Sequence, residues 1–145
     1  VEKIGSGEYD FILVNYANPD MVGHTGILEA AKVAIRTVDD CLARLETAIR
    51  EAGGVMLITA DHGNAETMRD AETGVPHTAH TLNEVPAVLV NEPAGTTGMN
   101  DGRLADIAPT LLQLIGLDLA VEMTGVSLIR NGNAVTTETE HRVTA

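Results

Sequence analysis

Val55-Met-Leu-Ile-Thr-Ala60 runs straight into Asp61-His62-Gly63-Asn64, and this join between an apolar run and a polar pair decides the fold. The run is short, nearly continuous in apolar side chains and partly β-branched, the pattern of a strand buried on both faces of a parallel sheet. Phe11-Ile-Leu-Val-Asn-Tyr-Ala17 reads the same way and stops just before Asp20. In open α/β sheets ligands bind outside the carboxyl ends of the strands. Two strands therefore each deliver an acid and an imidazole to one rim: Asp20 with His24, and Asp61 with His62. His80, in Pro76-His-Thr-Ala-His80, adds a third segment.

Helical periods lie between these strands. Ile27, Ala31, Ala34, Val38, Leu42, Leu45 and Ile49 step by three or four along one face of a long amphipathic helix. Gly53-Gly54 should stop it, since glycine accepts the left-handed turn past a helix end. Ala87-Val-Leu-Val-Asn91 reads as a further strand, and Leu104 to Ile115 as another helix ending at Gly116. Pro109 fits that helix only in its first turn or at a kink. The alternation predicts an α/β fold, a parallel or mixed sheet flanked by helices.

Composition narrows the function classes. The chain has 145 residues, 44% of them hydrophobic, enough for one aliphatic core and one compact unit. Its aromatics are Tyr9, Phe11 and Tyr16, and its formal charge is −12, so it offers neither a stacking platform nor a basic stripe for nucleic acid. Its longest apolar stretches are of strand length and no positively charged leader precedes one, so neither membrane insertion nor secretion is supported and no membrane partner is expected. Cys41 stands alone in the helical pattern and agrees with a reducing, cytoplasmic setting. Glu2 to Gly7 runs almost directly into the first strand, as if cut from something longer, and the polar stretch 130–145, which includes His141, reads as a disordered tail. Apolar edges left uncovered by such a cut would favour self-association.

Carboxylate oxygen with imidazole nitrogen is the donor set of borderline divalent cations. Each pair also has an ordinary reading. Asp61-His62 after a strand could be a turn with a capping aspartate, and Asp20 and His24 a cap and a hydrogen-bonded histidine. Convergence of three segments favours metal. His77 is assigned to support or structure; Asn64 and Glu66 could orient ligands but are assigned to a solvated helix start, Asp39 and Asp40 to surface, and Asp106 to a helix cap or start.

The strings NYANPDMVGHTG (15–26), ITADHGNAE (58–66), HTAHT (77–81), DGRLADIAPTLLQLIGL (101–117) and EMTGVSLI (122–129) resemble, in this order, the C-terminal portion of cofactor-independent phosphoglycerate mutases, a family of the alkaline phosphatase superfamily. The stretch 117–121 lacks the proline expected before Glu122, and Ala87 replaces a larger apolar side chain. The resemblance implies that residues 1–129 are part of a three-layer alkaline-phosphatase-like domain. It further implies two divalent ions, manganese ahead of zinc or magnesium. One would be held by Asp20, His24 and His80, the other in part by Asp61 and His62.

In such mutases a metal-activated serine takes the phosphoryl group and returns it to another hydroxyl, interconverting 3-phosphoglycerate and 2-phosphoglycerate in glycolysis. No residue here matches that serine, so no catalytic nucleophile is assigned and no arginine is given to the substrate. The implied partners are phosphoglycerate and an N-terminal segment of the same protein. The chain alone is then expected to be inactive. The alternatives are a non-catalytic metal-binding or interaction module, and a related metal-dependent phosphatase.

Overall fold

The computed structural model describes residues 1–132. In chain order the elements are α1 (Glu2–Gly5), α2 (Asn18–Gly23), α3 (Leu28–Glu51), β1 (Met56–Thr59), β2 (Ala87–Val90), β3 (Thr96–Met99), a 3-10 turn (Leu104–Asp106), α4 (Ile107–Leu114) and β4 (Ile129–Asn131). The class is α/β. Instead of one unit, the chain forms two, Val1–Glu92 and a second that begins at Pro93.

The first unit is organised by α3. Ala31 and Ala48 are its buried residues, with Ala34, Val38, Leu42, Leu45 and Ile49 half-buried on the same face, as the helical period predicts. Ile27 is the exception, an exposed N-cap in extended conformation. At the other end Gly53 has φ +68°, its N–H donates to the Arg50 carbonyl at 3.2 Å, and the Gly54 N–H reaches the Ile49 carbonyl at 2.9 Å. These paired bonds satisfy carbonyls that the helix end would leave open, and only glycine takes that φ without cost. The same closure recurs after α4, where Gly116 (φ +73°) donates to Gln113 and Leu117 to Leu112. Pro109 lies in the first turn of α4, where its missing N–H breaks no helical bond.

β1 and β2 fall where the apolar runs place them, but they pair antiparallel, Met56 opposite Val90 and Thr59 opposite Ala87. No helix crosses between them. The chain from Ala60 to Pro86 is loops carrying two isolated bridges, Gly63 with Thr81 and Arg69 with Pro76. That connection turns the chain back, whereas parallel pairing needs a crossover.

Phe11–Ala17 is not a strand. It is irregular, and Phe11, Ile12, Leu13 and Val14 are exposed, Leu13 by 81%. An extended segment becomes a strand only when a neighbour takes its N–H and C=O groups, and no backbone hydrogen bond joins residues 11–16 to another described residue. The expected aliphatic core is correspondingly thin, its buried hydrophobic side chains among the described residues being Ala31, Ala48, Met68 and Leu128.

The second unit holds the pair β3 and β4, antiparallel with an irregularity between Thr96 and Gly98. Arg130 and Asn131, expected to begin a polar tail, belong to β4. The rest of that tail from residue 133, His141 included, lies outside the described residues.

Candidate metal centre

Asn18-Pro19 opens α2 rather than a loop, because proline at the first helical positions is preset for the turn and gives up no bonded N–H. The helix puts Asp20 in its first turn and His24 at its C-cap, four residues apart and therefore on one face. Asp20 Oδ1 lies 3.2 Å from His24 Nε2. His80 arrives from the loop and places its Nε2 3.0 Å from the same carboxylate oxygen and 3.1 Å from His24 Nε2. Three donor atoms from two segments thus form a near-equilateral group.

The imidazole tautomer follows from a carbonyl. His24 Nδ1 is 2.6 Å from the Thr78 carbonyl oxygen, which can only accept, so Nδ1 carries the proton and Nε2 turns a lone pair toward Asp20 and His80. Metal-binding histidines are oriented in this way, the remote nitrogen donating to a carbonyl. With metal bonds of about 2.0–2.2 Å, ligand atoms separated as these are suit one divalent cation.

Asp61 and His62 are placed differently. β1 ends at Thr59 and delivers both, but the Asp61 side chain is 88% exposed and its Oδ1 stands 3.6 Å from His62 Nε2. The His62 ring stacks on His80, centroids 3.7 Å apart and planes 19° from parallel. The donor atoms of Asp20, His62 and His80 lie within 4.8 Å of one another. Asp61 is outside that group. His77 does not join it either. Its Nδ1 is buried with no hydrogen-bond partner among the described residues, and its N–H donates to the Met68 carbonyl.

Two residues do more than their local sequence indicates. Asn64 is buried, not on a solvated helix start, and its Nδ2 donates to Asp20 Oδ1 at 2.8 Å. Desolvation pushes the Asp20 carboxyl up, but the Asn64 amide and the neighbouring His24, His80 and His62 outweigh it, holding the pKa below the ordinary carboxylate value. Gly23 leaves room for this bond, because a Cβ there would strike the Asn64 amide oxygen. Asn64→Ala should weaken cation binding at Asp20, His24 and His80 by about 10–100-fold, the usual cost of losing a partner that orients a ligand. Calorimetric titration checks this, and an unchanged affinity would refute it.

Glu66 is exposed, as a solvated position should be, but it lies in a turn rather than a helix start and bonds across loops. It accepts hydrogen bonds from the Thr81 hydroxyl, from the Asn64 N–H at 2.6 Å and from Asn83 Nδ2 at 2.9 Å. The Thr81 hydroxyl, chiefly, holds its carboxyl down to about 2, against partial desolvation. A depressed carboxylate stabilises the fold above its unfolded pKa, and that contribution disappears as pH falls through the folded value. Stability should therefore drop between about pH 4.5 and 2, and Glu66→Gln should flatten this part of the profile. Identical acid-unfolding curves would contradict the assignment.

Comparison with known proteins places the chain in a family. A model of the metalloenzyme superfamily matches residues 1–119. The chain is 64% identical over 129 residues to a 2,3-bisphosphoglycerate-independent phosphoglycerate mutase of Cereibacter sphaeroides, covering 89% of this chain and 25% of the relative. Namesakes from Ruegeria pomeroyi and Acetivibrio thermocellus are 62% and 55% identical over the same shares. Among solved structures it is similar to Leishmania mexicana phosphoglycerate mutase crystallised at low cobalt concentration, with TM-score 0.80, 33% identity, and 90% of this chain and 26% of that one covered. The chain thus spans about a quarter of the length of the relatives it matches.

Proposed function

We propose a function from one premise: this chain belongs to the metalloenzyme superfamily. It supplies the metal-holding part of a cofactor-independent phosphoglycerate mutase. The observation that carries this reading is the meeting of Asp20 Oδ1, His24 Nε2 and His80 Nε2 at 3.0–3.2 Å, in a chain 64% identical to such a mutase over 129 residues.

Asp20, His24 and His80 would hold one divalent cation. Imidazole ligates in its own plane, so the near-parallel stack of His62 on His80, although their donor atoms lie within 4.8 Å of Asp20 and of each other, favours separate ions for the two rings. His62 would then serve a second ion, as in two-metal phosphoryl-transfer centres. Asp61, beside His62 in sequence, would supply its exposed carboxylate to that ion. Bound there, such cations would polarise phosphoryl oxygens and lower the pKa of a coordinated hydroxyl.

The chain's own residues do the positioning. Thr78 fixes the His24 tautomer, and Asn64 fixes the Asp20 carboxylate. Neither serine, Ser6 or Ser127, lies in a matched nucleophile motif, so the serine that carries the phosphoryl group and the clamp on phosphoglycerate come from sequence these residues do not match. Manganese is the metal proposed for this mixed oxygen and nitrogen set, which also accepts zinc, cobalt and magnesium. A cytoplasmic setting agrees with the free Cys41 and with the absence, among the described residues, of any helix long and apolar enough to cross a membrane.

A chimera tests this reading. The matching quarter of the Cereibacter mutase is replaced by this chain, and the product is assayed with Mn2+ for interconversion of 3- and 2-phosphoglycerate. Isomerisation is expected. A folded, manganese-binding chimera that only releases phosphate would assign a hydrolase, and one that does neither would leave a metal-binding module.

A further inference from the structure

We propose that Glu66 is a positioning residue of the metal centre, a latch that fixes the His80 loop against the Asp61-His62 loop and thereby shapes the site before any cation arrives. The inference rests on the reading of Asp20, His24 and His80 as ligands.

Glu66 touches none of the three, yet one carboxylate ties together the segments that carry them. Its Oε1 accepts from the Thr81 hydroxyl, the residue after His80, and from Asn83 Nδ2 at 2.9 Å. Its Oε2 accepts the Asn64 N–H at 2.6 Å. Asn64 in turn spends its side-chain amide on Asp20 Oδ1 at 2.8 Å, so a continuous line of hydrogen bonds runs from Asp20 through Asn64 and Glu66 to Thr81.

Backbone contacts close the same seam. Gly63 and Thr81 form an isolated antiparallel bridge, the Thr81 N–H donating to the Gly63 carbonyl at 2.8 Å. Gly63 is buried, and a Cβ on it would strike the Thr81 hydroxyl oxygen and Glu66 Oε1. The loops therefore approach as closely as a bare glycine permits, with the carboxylate in the space a side chain would need.

The consequence is geometric. The His62 and His80 stack at 3.7 Å, and the 3.0 Å approach of His80 to Asp20, require the 78–83 loop to stay in this register against residues 62–66. Loops held only by van der Waals contact do not keep such a register, and a loss of about 0.5 Å in ligand placement is enough to spoil a site. A carboxylate is suited to the task because it accepts from several donors at once, and bonds to an ionised acceptor are stronger than neutral ones.

Cobalt(II) titration of the protein tests the proposal, with visible absorption reporting ligand geometry and thermal melting of the metal-free protein reporting stability. Glu66→Ala should weaken Co2+ binding by about 10–100-fold and shift the visible bands at saturation. Glu66→Gln keeps an acceptor for Thr81 and Asn83 but turns an NH2 toward the Asn64 N–H, so it should fall between Ala and the wild type. It also decides the matter if the alanine variant does not fold. A lower melting temperature with unchanged affinity and unchanged bands would make Glu66 merely structural and overturn the latch alone. Absence of cobalt binding by the wild type, or undiminished binding by His80→Ala, would overturn the ligand reading and the latch with it.

Discussion

Asp20→Ala should abolish tight binding of the first divalent cation, weakening it by more than about 100-fold, beyond the range seen when only a residue supporting a ligand is lost. Asp20 Oδ1 is the atom on which His24 Nε2, His80 Nε2 and Asn64 Nδ2 all converge, at 3.2, 3.0 and 2.8 Å. Its removal takes away the one negative charge in the group and leaves two imidazole nitrogens 3.1 Å apart with nothing between them. Asp61→Ala is the informative contrast. Its carboxylate is 88% exposed and makes no contact with that group, so first-site affinity should persist while the second equivalent is lost. Titration of both variants with Mn2+, followed by calorimetry or by the electron paramagnetic resonance of the free ion, measures the two effects. Equal losses in both would show that the two aspartates address one ion, and an unaltered Asp20→Ala would remove that residue from the site.

Much of this centre was legible in the linear sequence because its parts are local. Asp20 and His24 lie four residues apart, the spacing that shares a helix face, and Asp61-His62 adjoin a strand whose apolar run is unmistakable. Glycines at 53 and 116 marked the ends of α3 and α4 for the same reason, since a left-handed turn is a property of one residue. What was hidden depends on residues far apart. Asn64 pairs with Asp20 across 44 positions and Glu66 with Asn83 across 17, and nothing in the string Asn64-Ala-Glu66 separates such partners from an ordinary polar turn.

The strands divide along the same line. Met56–Thr59 and Ala87–Val90 have apolar runs and find each other. Phe11–Val14 has an equally apolar run, yet its side chains are exposed and no described strand takes its backbone groups, because hydrophobicity states a need for a partner without supplying one. Thr96–Met99 carries the opposite signal. It includes Gly98 at φ +136° and shows no alternation, but it pairs with Ile129–Asn131 across an intervening stretch, residues 100–128, whose course no local pattern encodes.

The second unit should fail at Gly125. A Cβ built there would overlap the Ala105 carbonyl group and lie 3.0 Å from Asp106 Oδ1. Ala105 belongs to the 3-10 turn Leu104–Asp106, so the obstructing oxygen is backbone held in a closed turn and cannot rotate aside as a side chain would. The turn is fixed further by Asp106, only 3% exposed, whose carboxylate accepts the Val126 N–H at 2.9 Å and the Arg103 N–H at 2.7 Å. Those two backbone donors, Val126 first, hold its carboxyl below the ordinary range. Gly125→Ala must displace the 124–126 segment, and with it the Val126 donor, so its cost joins overpacking to the loss of a part-buried hydrogen bond to a carboxylate, about 2–5 kcal/mol in all. Thr110→Val probes the same junction without a collision. The Thr110 hydroxyl is fully buried, donates to the Asp106 carbonyl at 2.7 Å and accepts the Leu128 N–H at 2.9 Å, and valine of similar shape takes the acceptor from the Leu128 N–H and the hydroxyl donor from a carbonyl that, as the N-cap of α4, keeps its helical bond. About 1–3 kcal/mol is expected for that variant. Chemical denaturation of the two proteins orders them, with Gly125→Ala the less stable. A Gly125→Ala protein as stable as the wild type would mean that the turn yields freely and that the 102–128 region is not the rigid junction these contacts describe.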